Sequence, residues 1–399
     1  MLSFFTKSSQ PRRTLLFGST MHIWNDLYFA ILVTLLPFIE KDMDLSFTQV
    51  GLLRSVFAGA SGILQIPVGF LAESVGEFWL LILGNLWVPI GLVAMALSPV
   101  FVVLLATSFL GGLGGGAQHP LGSSMVSRAY DDRGRSTAVG TVNFAGDLGK
   151  MIAPLIAAAT VVIFGWRATL FVVGFAGIAF TALASLTRRS VDIGRPAKTT
   201  SDEETSADDK AKMGGFIALS GVGILDASVR TAAMTFLPFV LIAKDMSNVQ
   251  AVSMLFFLFL GGAFGKFVVG WLGERFGTVS LIWGTKGMTA VLLVASIYAP
   301  PAATIPLMIA IGIGLNGTSS ILYATVAEFI PARRRARFYG FYYTTNEIGT
   351  VIAPIAYGVI ADALSLNATM IIMGVVTLTI LPASLTLRKY VGTRKVAAG

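Results

Sequence analysis

Two apolar, glycine-rich runs flanking a short charged break, between Leu104 and Ala157, set the tightest limit on what this chain can fold into. The first reads LLATSFLGGLGGGAQHPLGSSMVSRA, the break YDDRGRS, and the second TAVGTVNFAGDLGKMIAPLIA. Each run is about 20 residues or longer, enough to cross a hydrocarbon core as a helix. Each also carries groups that hydrocarbon rejects: Gln118 and His119 in the first, Asn143, Asp147 and Lys150 in the second. An ionised side chain at the bilayer centre costs roughly 2.5–3.5 kcal/mol on insertion scales, so such groups face a bundle interior or an aqueous cavity. The pattern predicts two spanning helices with polar inner faces, the arrangement of a transport site.

The rest of the chain agrees. Hydrophobic residues make up 55% of the 399 and charged residues only 13%, with mean hydropathy +0.77. A soluble domain carries about 25% charged residues, so this chain could not cover itself for water. The absence of cysteine removes disulfides and thiolate metal sites. The net charge of +8 could suggest nucleic acid, but basic loops gathered on one membrane face explain it better. The first apolar run, from about Thr14 to Ile39, is too long for a signal-peptide core and lacks a small-residue cleavage site. Further runs near 47–72, 78–98, 101–129, 136–163 and 167–187 complete a first set of six. Residues 188–213 are polar and charged without apolar periodicity, a cytoplasmic linker. Six more runs follow, near 214–243, 249–272, 277–298, 301–329, 336–363 and 367–387. The expected fold is an all-α integral membrane protein of twelve helices, with bundles at 14–187 and 214–387.

The two halves repeat each other about 200 residues apart. Gln49, Gly69, Glu73 and Gly76 recur as Gln250, Gly270, Glu274 and Gly277. Gly140, Asp147, Gly149, Ala153 and Pro154 recur as Gly340, Glu347, Gly349, Ala353 and Pro354, and Leu36-Pro37-Phe38 as Leu237-Pro238-Phe239. Duplicated six-helix units are a hallmark of secondary transporters. With the N-terminus placed inside, 21 Lys and Arg fall in inside segments and 3 (Lys41, Arg167, Lys244) outside. That bias puts both termini in the cytoplasm of a cell with an inner membrane.

Twelve spans, a central loop and the paired GFLAESVG and GWLGERFG loops resemble the major facilitator superfamily. In that family the loop after span 2, and its echo after span 8, reads G-x-L-x-D-R-x-G-R and gates the transporter. Here Glu73 stands for the Asp, and Ser74, Glu77 and Phe78 stand where basic residues are expected; the second copy keeps Glu274, Arg275 and Gly277. A narrower resemblance is to the fosmidomycin-resistance branch of exporters. It rests on His22-x-x-Asn25-Asp26, on Leu45-Ser-Phe-Thr-Gln49, and on Gln118-His119-Pro120 through Ser123-Ser124. That resemblance implies proton-coupled export of an anion such as a phosphonate, by alternating access in a monomer. The match departs at Asp147 and Lys150, where that branch is mostly small and neutral.

The residues argue separately. Asp26, Asp147, Asp226 and Glu347 each lie about 11 residues from the cytoplasmic start of a span, about 16 Å deep and near the midplane. Asp26, Asp147 and Glu347 are the expected proton carriers. A blander alternative is that these acids only neutralise nearby bases, Asp147 with Lys150 at i,i+3 and Asp226 with Arg230 at i,i+4. His22 and His119, the two histidines, are both intramembrane, and His22 shares a face with Asp26. A metal would want further ligands at matching depth, and the sequence suggests none. The glycines between 111 and 116 lack a following Gly-Lys-Ser/Thr, so they point to close helix packing and away from a phosphate loop or ATP-driven transport. Arg54 and Lys266 have no acid at i±3 or i±4 on their own helices, which leaves them to meet a ligand, and Arg offers a bidentate fork.

The expected substrate is a small organic anion. Arg54, Lys266, Lys150, His22, His119, Gln118, Asn143, Asp226, Arg230 and Asn346 are its candidate contacts, with protons and the lipid bilayer as the other partners. No cofactor, metal or nucleic acid is expected. Import or exchange of the same anions is the alternative direction. A membrane enzyme or lipid-handling protein is the alternative class, disfavoured because no nucleophile–base constellation accompanies His22 and Asp26.

Overall fold

A computed structural model describes residues 9–130, 132–191, 207–330 and 335–390. Helices account for nearly all of them. In chain order these are α1 (Ser9–Met43), α2 (Phe47–Val75), α3 (Glu77–Ala96), α4 (Phe101–Gly112), α5 (Gln118–Ala129) and α6 (Asp132–Ser185). The series continues with α7 (Ala207–Ile242), α8 (Asn248–Phe276), α9 (Thr278–Tyr298), α10 (Thr304–Phe329), α11 (Arg335–Ala363) and α12 (Leu366–Leu385). Twelve spans follow once two local features are read. The 3-10 turn Leu113–Ala117 joins α4 to α5 as one rod, and Gly165 (φ 76°) breaks α6 into two arms. Ten stretches are long and apolar enough to cross a membrane, the whole of 137–189 counting once. Helix α11 is too polar to qualify, and its polar residues are those of the candidate site.

Residues that water would hide face outward. Phe70, Val102, Ile163, Leu183 and Val291 are each more than 60% exposed, while His22, Asp26, Asp226 and Lys286 are buried. This inversion is what a lipid surround requires. The glycines of the α4–α5 rod serve close packing: a Cβ on Gly111 would lie 2.9 Å from the Gly91 Cα, and one on Gly114 would lie 2.7 Å from the Gly84 carbonyl oxygen.

The chain divides into two compact units, Met1–Asp44 with Val56–Thr200, and Leu45–Ser55 with Ser201–Gly399. The start of α2 therefore belongs to the second unit. The reason is visible in its bonds: the Phe47 and Thr48 amides both donate to Asp362 at 2.8 Å, capping the helix from the end of α11. Of the expected linker, residues 192–206 lie outside the described residues, and α7 already begins at Ala207.

The repeated residues have local physical jobs. Ser46 and Gln49 bond each other's backbones across the start of α2 (2.9 and 3.2 Å), and Ser247 and Gln250 do the same for α8 (3.1 and 3.2 Å). Both are capping boxes, which satisfy orphan amides at a helix start. Gly76 and Gly277 break the chain between helices with φ of 84° and 75°, a conformation that costs a side chain dearly.

Candidate functional site

Each unit holds its own cluster of intramembrane charge. In the first, α1 carries His22 and Asp26 one turn apart, α5 begins with Gln118 and His119, and α6 brings Asp147 and Lys150. Asp26 is the hub. His22 Nε2 lies 3.5 Å from its Oδ2, His119 Nε2 lies 4.0 Å from its Oδ1, and Lys150 Nζ lies 2.9 Å from Oδ2. Lys150 also reaches Asp147 Oδ1 at 3.4 Å, so the i,i+3 pair exists, but its shorter contact is across to α1. The histidine rings meet edge to face, 5.0 Å between centroids. Gly146 makes the approach of α6 to α1 possible: a Cβ there would fall 2.8 Å from His22 Nε2.

With neutral histidines this cluster counts two acids against one lysine, a net charge of −1. Asp26 and Asp147 are 4% and 6% exposed, so the surplus charge sits where it is poorly solvated. The donor atoms of His22, Asp26 and His119 lie within 4.8 Å of one another. The expectation that no third ligand reaches that depth is therefore corrected: the fold brings α5 to α1, which spacing alone could not show. Lys150 already contacts the same carboxylate as a cation. Gln118 is turned elsewhere, its Oε1 accepting from Asn85 Nδ2 at 3.0 Å, and Asn143 is exposed one turn before Asp147.

The second cluster is built on α7, α9, α10, α11 and the start of α2. Asp226 Oδ1 contacts Lys286 Nζ at 2.5 Å, and its Oδ2 lies 3.8 Å from Arg230 Nε. Lys286 is wholly buried and also donates to the Gly314 carbonyl at 3.3 Å. Sequence reasoning placed Lys286 in a span but not in the site. Its signal was there: it is one of five bases inside predicted spans. Glu347 on α11 faces both Arg54 and Arg230. Arg54 Nε and Nη1 and Arg230 Nε are buried without a hydrogen-bond acceptor among the described residues. Asn346 is buried, and its Oδ1 has no hydrogen-bond partner among the described residues. Arg54, Arg230 and Lys286 against Asp226 and Glu347 give this cluster a net charge of +1. Lys266 is half-buried on α8, and its carbonyl accepts from the Ser320 hydroxyl.

The Major Facilitator Superfamily model matches residues 19–219 and 219–398. The chain belongs to the major facilitator superfamily. Among its relatives, the uncharacterised MFS-type transporter YfnC of Bacillus subtilis (strain 168) is 27% identical, covering 92% of each chain. The fosmidomycin resistance protein of Escherichia coli (strain K12) is 26% identical over 88% of this chain and 86% of that one. The gentisate transporter of Corynebacterium glutamicum is 26% identical over 85% of this chain and 79% of that one. Among solved structures, a bacterial homologue of the human lysosomal transporter Spinster, inward-facing and occupied, superposes with a TM-score of 0.82. It is 18% identical and covers 97% of this chain and 100% of that one. The chain is thus a multi-pass membrane transporter of a small organic solute, with the superfamily's twelve-helix fold.

The superfamily's loop after span 2 shows how this member departs from the pattern. Glu77, standing where a base is expected, is 4% exposed and takes both guanidinium nitrogens of Arg128, with the Ser124 hydroxyl donating at 2.7 Å. In the second unit the equivalent residues are Thr278 and Thr325, whose hydroxyls meet at 3.3 Å. Both pairs are 47 residues apart. The Glu77–Ser124 bond of one half thus has a pair of hydroxyls as its counterpart in the other, where Phe329 stands in the place of Arg128. Of the predicted gating residues, Gly76 and Gly277 form the left-handed breaks described above, and Gly69 and Gly270 meet nothing within 3.8 Å. Arg275 lies over the Trp271 ring at 4.4 Å, and the side chains of Glu73 and Glu274 lie outside the described residues.

Proposed function

We propose that this transporter moves a small organic anion across the inner membrane in exchange for protons. The observation that carries the anion is the surplus positive charge of the second cluster, where Arg54 Nε and Nη1 and Arg230 Nε are buried without a hydrogen-bond acceptor among the described residues. A buried unsatisfied donor costs about 1–3 kcal/mol, and a bidentate carboxylate or phosphonate would satisfy several at once. Arg54 and Arg230 are its direct contacts, with Lys266 and Asn346 at the margin and Asp226 held by Lys286 as their anchor. The names of two relatives, a fosmidomycin resistance protein and a gentisate transporter, are in keeping with an acidic solute. Resemblance to the former favours export, and the loop charges favour cytoplasmic termini.

The proton side rests on the first cluster. Asp26 lies among His22, His119 and Lys150, and Asp147 shares that lysine, so one proton can be taken up and passed among neighbouring groups. Glu347, between two arginines, is the third candidate carrier.

Liposomes holding the purified protein and a pH-sensitive dye test both halves. Gentisate or fosmidomycin added under an imposed pH gradient should accumulate against its own gradient. Asp26→Asn, Asp147→Asn or Glu347→Gln should abolish accumulation while leaving counterflow exchange intact for at least one of the three. If all three neutral variants still concentrate the solute, the coupling assignment is wrong.

A further inference from the structure

We propose that the solute is an aromatic acid, its acidic group on Arg54 and its ring held by Tyr323 and Tyr343; this rests on the organic-anion reading above. The chain has nine tyrosines, and four of them, Tyr323, Tyr339, Tyr342 and Tyr343, meet at one place on α10 and α11. The Tyr323 ring lies 4.9 Å from that of Tyr343 and 5.4 Å from that of Tyr342, and the Tyr339 hydroxyl donates to the Tyr323 carbonyl at 3.1 Å. Tyr343 and Glu347 stand at i and i+4, on one face of α11. The charges of Arg230, Glu347 and Asp226 all reach Tyr323. The rings thus stand beside Arg230, Glu347 and Asp226, and Arg54 joins them through Glu347, which it shares with Arg230.

Tyr342 is a buried core residue, but the repeat indicates that this helix pair does not need rings to form. By the registers that pair Ser124 with Thr325 and Asp147 with Glu347, the first half has Gly122 for Tyr323, Val139 for Tyr339, Val142 for Tyr342 and Asn143 for Tyr343. The same helix pair forms in that half with no aromatic at any of the four. Arg54 and Arg230 likewise have Leu255 and Phe29 as their counterparts. Bases and aromatics entered the same half at the same place. Tyr323, Tyr343, Arg54 and Glu347 are all half-buried, the exposure of a cavity wall and not of a sealed core.

A planar acid suits such a wall. The guanidinium fork takes the two oxygens in its own plane, and the tyrosines offer faces and edges to the ring behind them. A saturated ring of equal carbon count buries similar apolar area but has no π-system. The aromatic pair's geometric term alone should then favour the aromatic acid by about 2- to 13-fold.

The experiment compares matched pairs on the purified full-length protein: benzoate with cyclohexanecarboxylate, and phenylphosphonate with cyclohexylphosphonate. Binding is read by calorimetry and transport by uptake in liposomes. The expected result is a 2- to 13-fold preference for the aromatic member, lost in Tyr323→Leu or Tyr343→Leu and retained in Tyr323→Phe and Tyr343→Phe. Equal binding of aromatic and saturated members by the native protein overturns the aromatic assignment and leaves the anion reading standing. A preference that survives both leucine variants overturns the placement of the ring. Binding of none of the four, with cationic or neutral compounds bound instead, removes the anion reading and this inference with it. The native ratio decides even where a leucine variant fails to fold.

Discussion

Breaking the Asp226–Lys286 pair should cost more from one side than from the other. Lys286 has no exposed surface and, among the described residues, only Asp226 and the Gly314 carbonyl at 3.3 Å to accept from it. Asp226, by contrast, keeps Arg230 at 3.8 Å when the lysine goes. Removing one partner of a buried pair costs about 3–5 kcal/mol, because the other charge is left uncompensated. Asp226→Asn should therefore sit in that range, and Lys286→Gln, with Arg230 still present, nearer 2–3 kcal/mol. The double variant leaves the net charge of the cluster unchanged, with Arg230 still facing Glu347, and loses about one methylene of buried length, on the order of 1 kcal/mol. The repeat supplies a precedent for the neutral state, since the residues 201 positions earlier are Asn25 and Asn85, both buried. Titrating SDS into dodecyl maltoside micelles, with unfolding followed by circular dichroism, measures all four corners of the cycle. The expected coupling is several kcal/mol, far above the ~0.5 kcal/mol seen for independent sites. Additivity within that margin, or a larger loss from Lys286→Gln than from Asp226→Asn, would refute the reasoning.

Two other tests are simpler. Gly146→Ala should force α6 away from His22 and Asp26, at the 1–3 kcal/mol typical of overpacking, measured by the same titration. Gly140→Ala, where a Cβ meets nothing within 4 Å, is its control and should change stability by less than about 1 kcal/mol. For topology, a reporter fused within 195–212 or after Gly399 should report cytoplasm; a periplasmic signal from either would contradict both the loop-charge count and the number of spans.

Much of the fold was legible because a bilayer demands long apolar runs and closed backbone hydrogen bonding, and both leave plain marks in a sequence. The paired glycines and glutamines were equally readable, since Gly76, Gly277, Gln49 and Gln250 do local backbone work that spacing reveals. Partners between helices were not. For Lys150, spacing offers as partner only Asp147 on its own helix, whereas its nearer acid is Asp26, because sequence spacing orders neighbours along a helix and is silent across one. Lys286 was passed over for the same reason: its acid lies 60 positions earlier, on α7. The start of α2 joined the second unit through Asp362, a bond spanning more than 300 residues that no local pattern foretells.

The two halves keep the same hinges and caps while differing at the charges, and that difference has a physical logic. A capping box or a left-handed glycine acts on its own backbone, so both copies need it wherever a helix starts or a chain turns. A buried charge acts on whatever faces it, so each copy can change it provided the facing residue changes too. Glu77 with Arg128 has become Thr278 with Phe329, and Asn25 with Asn85 stands against Asp226 with Lys286. Each exchange is of a whole pair, which is how a buried site avoids the cost of a lone charge. Arg54 and Arg230 break that rule, for Leu255 and Phe29 are their counterparts and one acid, Glu347, faces both. Three bases, Arg54, Arg230 and Lys286, against two acids, Asp226 and Glu347, leave one positive charge over, and under the proposed function that surplus is what an anionic solute would meet.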